Sequence, residues 1–154
     1  GALINGKCVC EGYARAFKYL LDGLGIESTM VIGKGINSSG QSENHAWNYV
    51  KLENNWYAVD CTWDDPVIIG GGYIGNSSKY RYFLKGKEDM EKDHTTLGNF
   101  TQGGKEFEYP TLNNKSYKES KGWFTESSIE PKKKWLYFMG WIFYVYSKTF
   151  SNEK

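Results

Sequence analysis

The chain reads as an α+β domain in which one amphipathic helix is followed by a run of antiparallel strands. From Cys10 onward, Ala14, Phe17, Leu20, Leu21 and Leu24 recur at helical spacing, the pattern of a single buried stripe. Further along, "HAWNYVKL" and "NWYAVDCTW" alternate aromatic or β-branched residues with polar ones and are split by "EN", which is a hairpin pattern. An aromatic content of 17% together with 18 glycines suits strands and tight turns over much of the chain.

Taken in order, the first element is a helix from Cys10 to Leu24 with the cysteine in its first turn, and Gly23 and Gly25 supply the stop. "ESTMVIG", Glu27 to Gly33, reads as a short strand, and "KGINSSGQSEN" as a polar loop. The hairpin comes next. "DDPVIIGGGYIGNSS" is a glycine-rich loop, at whose start Asp64 suits a turn by bonding its own backbone. "KYRYFL", Lys79 to Leu84, alternates as another strand would, and "KEDMEKDH" is a short, charged, helix-compatible piece. Beyond His94 the chain turns often and has weak strand content. "KKKW" to "YVYSK" carries the last strands. A catalytic domain over 1–118 and an aromatic-rich segment over 119–154 are the expected divisions.

At 154 residues the chain has the size of one domain with a real core. A net charge of +1 gives no electrostatic footprint for nucleic acid or an anionic membrane. The longest apolar run, Trp135 to Tyr146, falls short of the roughly 18 residues a membrane span needs. Three cysteines are an odd number, so at least one thiol is unpaired within the chain. The start "GALINGKC" has no methionine, signal-peptide core or charged n-region, as a processed product or a fragment would.

Two of those cysteines, Cys8 and Cys10, stand one residue apart ahead of the helix. A thiol becomes a strong nucleophile on losing its proton, which helix N-termini and nearby imidazolium groups both favour. Position gives Cys10 the first of these. His45 is the candidate for the second, since the chain has two histidines and this one opens a strand. Asp60, on the partner strand, can fix the imidazole's tautomer and orientation. If Glu53 and Asn54 form a two-residue loop, Leu52 faces Asn55 and Trp47 faces Asp60. His45 is then a diagonal neighbour of Asp60 on the same face, about 7–8 Å away at the backbone. A one-residue slip would separate them, so the spacing permits the pairing without forcing it.

"CVCEGYARAF", "HAWNYVKL" and "NNWYAVDCTWDDP" together resemble the three signature blocks of the bacterial transglutaminase-like family of papain-like cysteine enzymes, which hold cysteine, histidine and aspartate in that order. The likeness is close over Lys7 to Pro66, weaker in "YFLKGKEDMEKDH" and "FEYPTLNNKSY", and fades after Tyr117. It implies a papain-like fold with the nucleophile helix packed on an antiparallel sheet, and a Cys10, His45, Asp60 triad. It also implies an extracellular or cell-surface setting and a protein or peptide substrate. The family spans crosslinking by acyl transfer, peptide hydrolysis and peptide:N-glycanase activity, and no cofactor is implied. Family members usually carry a small residue in place of Cys8, and helices ahead of the nucleophile that this chain nearly lacks, as a fragment would.

Other residues carry weaker expectations. Trp47 and Trp63 are placed to flank a substrate cleft, although large aromatics more often pack. Cys61 points away from Asp60 into the core by strand alternation, and Cys8 is a bystander or an oxidisable partner of Cys10 or Cys61. His94 is a structural or rim residue without a carboxylate partner. A zinc site from the cysteines and His45 lacks a C-x₂₋₄-C pair, so no metal is expected. The chemistry expected is attack by Cys10 on an amide, protonation of the leaving amine by His45, and resolution of a thioester by water or an amine. Hydrolysis is slightly favoured. The alternative is a non-catalytic cell-surface or cell-wall binding module using the C-terminal aromatics.

Overall fold

A computed structural model of the protein describes residues 9–64, 80–98, 100–102 and 105–117. Cys8, most of the glycine-rich loop and the segment 119–154, with its expected strands and cell-wall contact, lie outside the described residues.

Helix α1 spans Cys10–Gly23 and buries Ala14, Ala16, Phe17 and Leu21. Ala14, Phe17 and Leu21 form one stripe, as the periodicity requires. The predicted stop is a Schellman motif: Ile26 N–H donates to the Leu21 carbonyl and Gly25 N–H to that of Asp22. Gly25 takes the left-handed conformation (φ 66°) that this motif demands.

Strands β1 (Ser28–Ile36), β2 (Ser42–Leu52) and β3 (Asn55–Val59) follow, then the short helix α2 (Lys87–Met90), β4 (His94–Thr96), β5 (Phe100–Gln102) and β6 (Lys105–Phe107). The main sheet has the order β3-β2-β1-β4 and is antiparallel throughout, while β5 and β6 pair separately. The β2–β3 connection is the two-residue turn the sequence suggested. Glu53 and Asn54 both have positive φ (51° and 66°), the signature of a type I′ turn. Leu52 pairs with Asn55 and Asn48 with Val59. Continued by one residue, that register sets Trp47 opposite Asp60.

Two expectations fail. The polar stretch after Gly33 is not a long loop, because β1 and β2 remain zipped to the Ile36–Ser42 pair. What closes them is a tight turn in which Asn37 Oδ1 accepts from the N–H groups of Ser39 and Gln41. Lys79 to Leu84 is not a strand over its described part. Residues 80–84 form turns, with Leu84 at φ 51°, and the backbone meets the sheet at the Lys85–Ala58 bridge and at Tyr82, whose carbonyl accepts from Asp60 N–H.

Strand alternation gives the sheet two unlike faces. Val50 and Leu52 meet Phe17, Leu21 and Ile26 on the α1 side. Val31, Trp47 and Tyr49 meet Tyr82, Met90 and Leu112 on the other.

Candidate active site

Asp60 ends the ladder of β3 and is completely buried. Its two oxygens have different partners. Oδ1 accepts from the backbone N–H groups of Thr62 (2.9 Å) and Trp63 (3.2 Å), an Asx-type turn that folds the chain back over the sheet. Oδ2 accepts from His45 Nε2 at 2.6 Å and from His94 Nε2 at 3.2 Å. Burial alone would raise this carboxyl, but hydrogen bonds from both histidines, and their charge, outweigh it and hold the group below its ordinary value.

His45 is 4% exposed. With Nε2–H donating to Asp60, the neutral ring keeps its lone pair on Nδ1. The ring is stacked on Trp63 (centroids 4.7 Å, 24° between planes), with Trp47 at 6.0 Å. Two β1 glycines make room for these indoles. A Cβ on Gly35 would stand 2.8 Å from Trp63, and one on Gly33 would stand 2.5 Å from Trp47 and collide with the Thr95 carbonyl oxygen.

Cys10 is partly buried and unpaired in a disulfide. It occupies the first turn of α1, whose N-cap residue Val9 supplies no side-chain cap, at the helix end where N–H groups and the dipole favour an anion. The helix runs beside β2 in the same direction. Asn48 Nδ2 donates to the Ala14 carbonyl (3.0 Å), and Lys18 Nζ to that of Ser28 (3.2 Å), the β1 partner of Val50. From the Ala14–Asn48 contact, four helical residues lead back about 6 Å to Cys10. Three strand residues lead back about 10 Å to His45. Both residues therefore lie toward one end of the sheet, Cys10 on the α1 side and His45 on the face that strand alternation turns the other way.

Of the residues singled out from sequence, the structure joins His45 and Asp60 directly and puts Trp63, half-buried, on the His45 ring. Trp47, expected at a substrate cleft, is 1% exposed and packs edge-on against His94 (5.0 Å). Cys61 packs on the α1-side cluster. Among the described residues, the backbone group that meets the Asp64 side chain comes from across the fold. Asp64 Oδ1 accepts from Tyr82 N–H at 2.8 Å, and burial pushes this carboxyl up to about 8.

His94 corrects the sequence reading. It is 3% exposed, begins β4, and has a carboxylate at each nitrogen: Asp60 at Nε2 and Asp93 Oδ1 at Nδ1 (2.6 Å). Tyr82 donates its hydroxyl to Asp93 Oδ2 (2.7 Å) and is itself pushed up by burial and by that carboxylate. The one available signal was the adjacent "DH" pair. Behind His94 lies a cavity of about 430 Å³ walled by Trp47, Tyr49, Met90, Tyr109 and Leu112 among others. His45, Asp60 and His94 are metal-ligand types with candidate atoms within 4.8 Å of one another. The short bonds among them make a self-satisfied unit instead of an open ligand set.

Residues 1–61 match the family model described as Transglutaminase-like superfamily. Kyphoscoliosis peptidase of Mus musculus is 38% identical over 69 residues, covering 40% of this chain and 10% of the relative, and that of Homo sapiens matches equally. The chain thus spans about a tenth of the length of the curated relatives it matches.

Proposed function

Residues 1–61 belong to the transglutaminase-like superfamily, and from that premise we propose that the protein is a thiol-dependent acyl-transfer enzyme acting on protein or peptide amides. The observation that carries the reading is the buried 2.6 Å bond from His45 Nε2 to Asp60 Oδ2. With the ionised carboxylate as acceptor, Nε2 is the donor, and Nδ1, which has no hydrogen-bond partner among the described residues, is the nitrogen that takes a proton. That is the requirement for a base serving a nucleophile at the same end of the fold.

In this mechanism Cys10 loses its proton to His45 Nδ1 and its sulfur bonds to the amide carbonyl carbon. The oxyanion is met by N–H groups at the start of α1. Collapse of the adduct breaks the C–N bond, and His45 returns the proton to the leaving amine. The resulting thioester is cleared by water, activated by His45 as base, or by a second amine. Asp60 remains ionised throughout, balancing the imidazolium. Trp63, half-buried on the His45 ring, is the aromatic available to border the substrate. Hydrolysis is the favoured outcome, in keeping with the word peptidase in the name of the relatives.

The test is selective alkylation. Iodoacetamide at neutral pH should modify Cys10 well before Cys61, and Cys10→Ala should abolish both that reaction and turnover of a casein or peptide-library substrate. Including a primary amine then separates hydrolysis from transamidation by product mass. Equal reactivity of Cys10 and Cys61 in the folded protein would sink the enzyme and favour a binding module.

A further inference from the structure

The proposed triad leaves one buried, titratable group unused. His94 lies 34 residues from Asp60 in sequence, yet its Nε2 sits 3.2 Å from the carboxylate oxygen that His45 uses. Its other nitrogen is gripped by Asp93, and Asp93 by the Tyr82 hydroxyl. The ring is also packed between Trp63 (4.5 Å) and Trp47 (5.0 Å), and its backbone is zipped to β1 opposite Gly35. A histidine merely filling space needs none of these polar contacts.

We infer that His94 is a positioning residue for the site, an outer imidazole that holds the Asp60 carboxylate in place and in register with His45 along a Tyr82–Asp93–His94–Asp60–His45 chain. The inference rests on the reading of His45 and Asp60 as base and orienting acid, and it extends that triad by one member. Its physical need follows from burial. A fully buried carboxylate must have nearly all its lone pairs met if it is to remain charged. Asp60 has two backbone donors on Oδ1 and two imidazoles on Oδ2. Without His94, Oδ2 would depend on His45 alone, the group whose proton count must change during reaction. The outer imidazole keeps the carboxylate solvated while the inner one cycles.

The charged and titratable groups around Asp60 come from every packed element: His45 on β2, His94 on β4, Asp93 ahead of β4, Asp64 in the turn after β3, and Arg81 and Tyr82 from the crossing segment. Burial opposes the ionisation of Asp60 and the two histidines favour it, so the histidine donors decide its state.

The chain has two histidines, so the imidazole NMR spectrum is simple and does not depend on Cys10 reacting. In the unaltered protein, long-range ¹H–¹⁵N spectra should show a proton on Nε2 of both rings. An unprotonated His94 Nε2 would overturn the inference. In a pH titration, the acid inflection that His45 ring protons report as Asp60 takes its proton should rise by about one unit or more in His94→Phe, which keeps the bulk and removes the donors. His94→Gln, which keeps an N–H near the Nε2 position, should recover at least half of that rise. An unmoved inflection in a folded His94→Phe, or no recovery in His94→Gln, would refute a positioning role. Should His94→Phe not fold, His94→Gln is judged directly, expected within half a unit of the parent; a full one-unit rise would count against the inference. If Cys10 proves inert while these shifts hold, the enzyme reading falls and the coupling stands.

Discussion

The two faces of the central sheet are built on opposite principles although they share the same strands. Toward α1 the face is apolar and filled: Phe17, Leu21, Ile26, Val50, Leu52 and Val59 pack together, and the polar tie there is Asn48 reaching the Ala14 carbonyl. Away from α1 the face holds two imidazoles, a buried carboxylate and the indoles of Trp47 and Trp63, beside a cavity of about 430 Å³. One face supplies cohesion, and the other keeps charged chemistry dry. Sheet alternation lets a single hairpin serve both, since neighbouring residues such as Ala46 and Trp47 belong to different sides.

The largest expected effect tests the apolar face. Phe17 is wholly buried, and Phe17→Ala should cost about 3–5 kcal/mol of unfolding free energy in a denaturant titration. The histidine resonances of the folded fraction should barely move; a large shift would mean the faces are not independent. Next come the two glycines under the site. Gly33→Ala brings a Cβ against the Thr95 backbone oxygen, so β4 must give way, at roughly 1–3 kcal/mol. Gly35→Ala meets the outer edge of the Trp63 indole instead. It should cost less stability but displace the ring from His45, visible as a change in His45 ring-current shift and Trp fluorescence.

The effect confined to one pH range concerns Asp64. Its carboxyl is held at about 8 in the folded chain against an ordinary 3.8. The unfolded chain therefore sheds this proton first, and stability falls as pH rises from about 4 to about 8, then levels. Asp64→Asn keeps an acceptor for Tyr82 N–H and removes that slope. Its melting temperature should exceed the parent's by about 10 °C or more at pH 8 and match it below pH 4. An advantage independent of pH would show that ionisation is not the cause.

Much of this contrast could be read from the residues. The stripe on α1, the glycine stop and the two-residue Glu53–Asn54 turn are local patterns, and once the turn length is known the register puts His45 and Asp60 on one face. The 80–84 segment misled because its aromatic alternation imitates a strand, while Leu84 adopts a positive φ that no pattern announces. The extension of β1 was hidden because Lys34 and Asn44 bond to each other at an exposed end, where polarity resembles a loop. His94 was legible least of all. Its meeting with Asp60 is made by the fold bringing β4 beside β1, a long-range event with no local spacing to betray it.

Asp60 fastens the chain reversal at Thr62 and Trp63 with one oxygen and anchors both imidazoles with the other. Acidification deep enough to neutralise it would thus loosen the turn and the histidine cluster in the same stroke, with Trp63 lifting from the ring it covers as His45 loses its carboxylate partner. In acid, the cluster around Asp60 would come apart from the floor upward, before the apolar half had begun to melt.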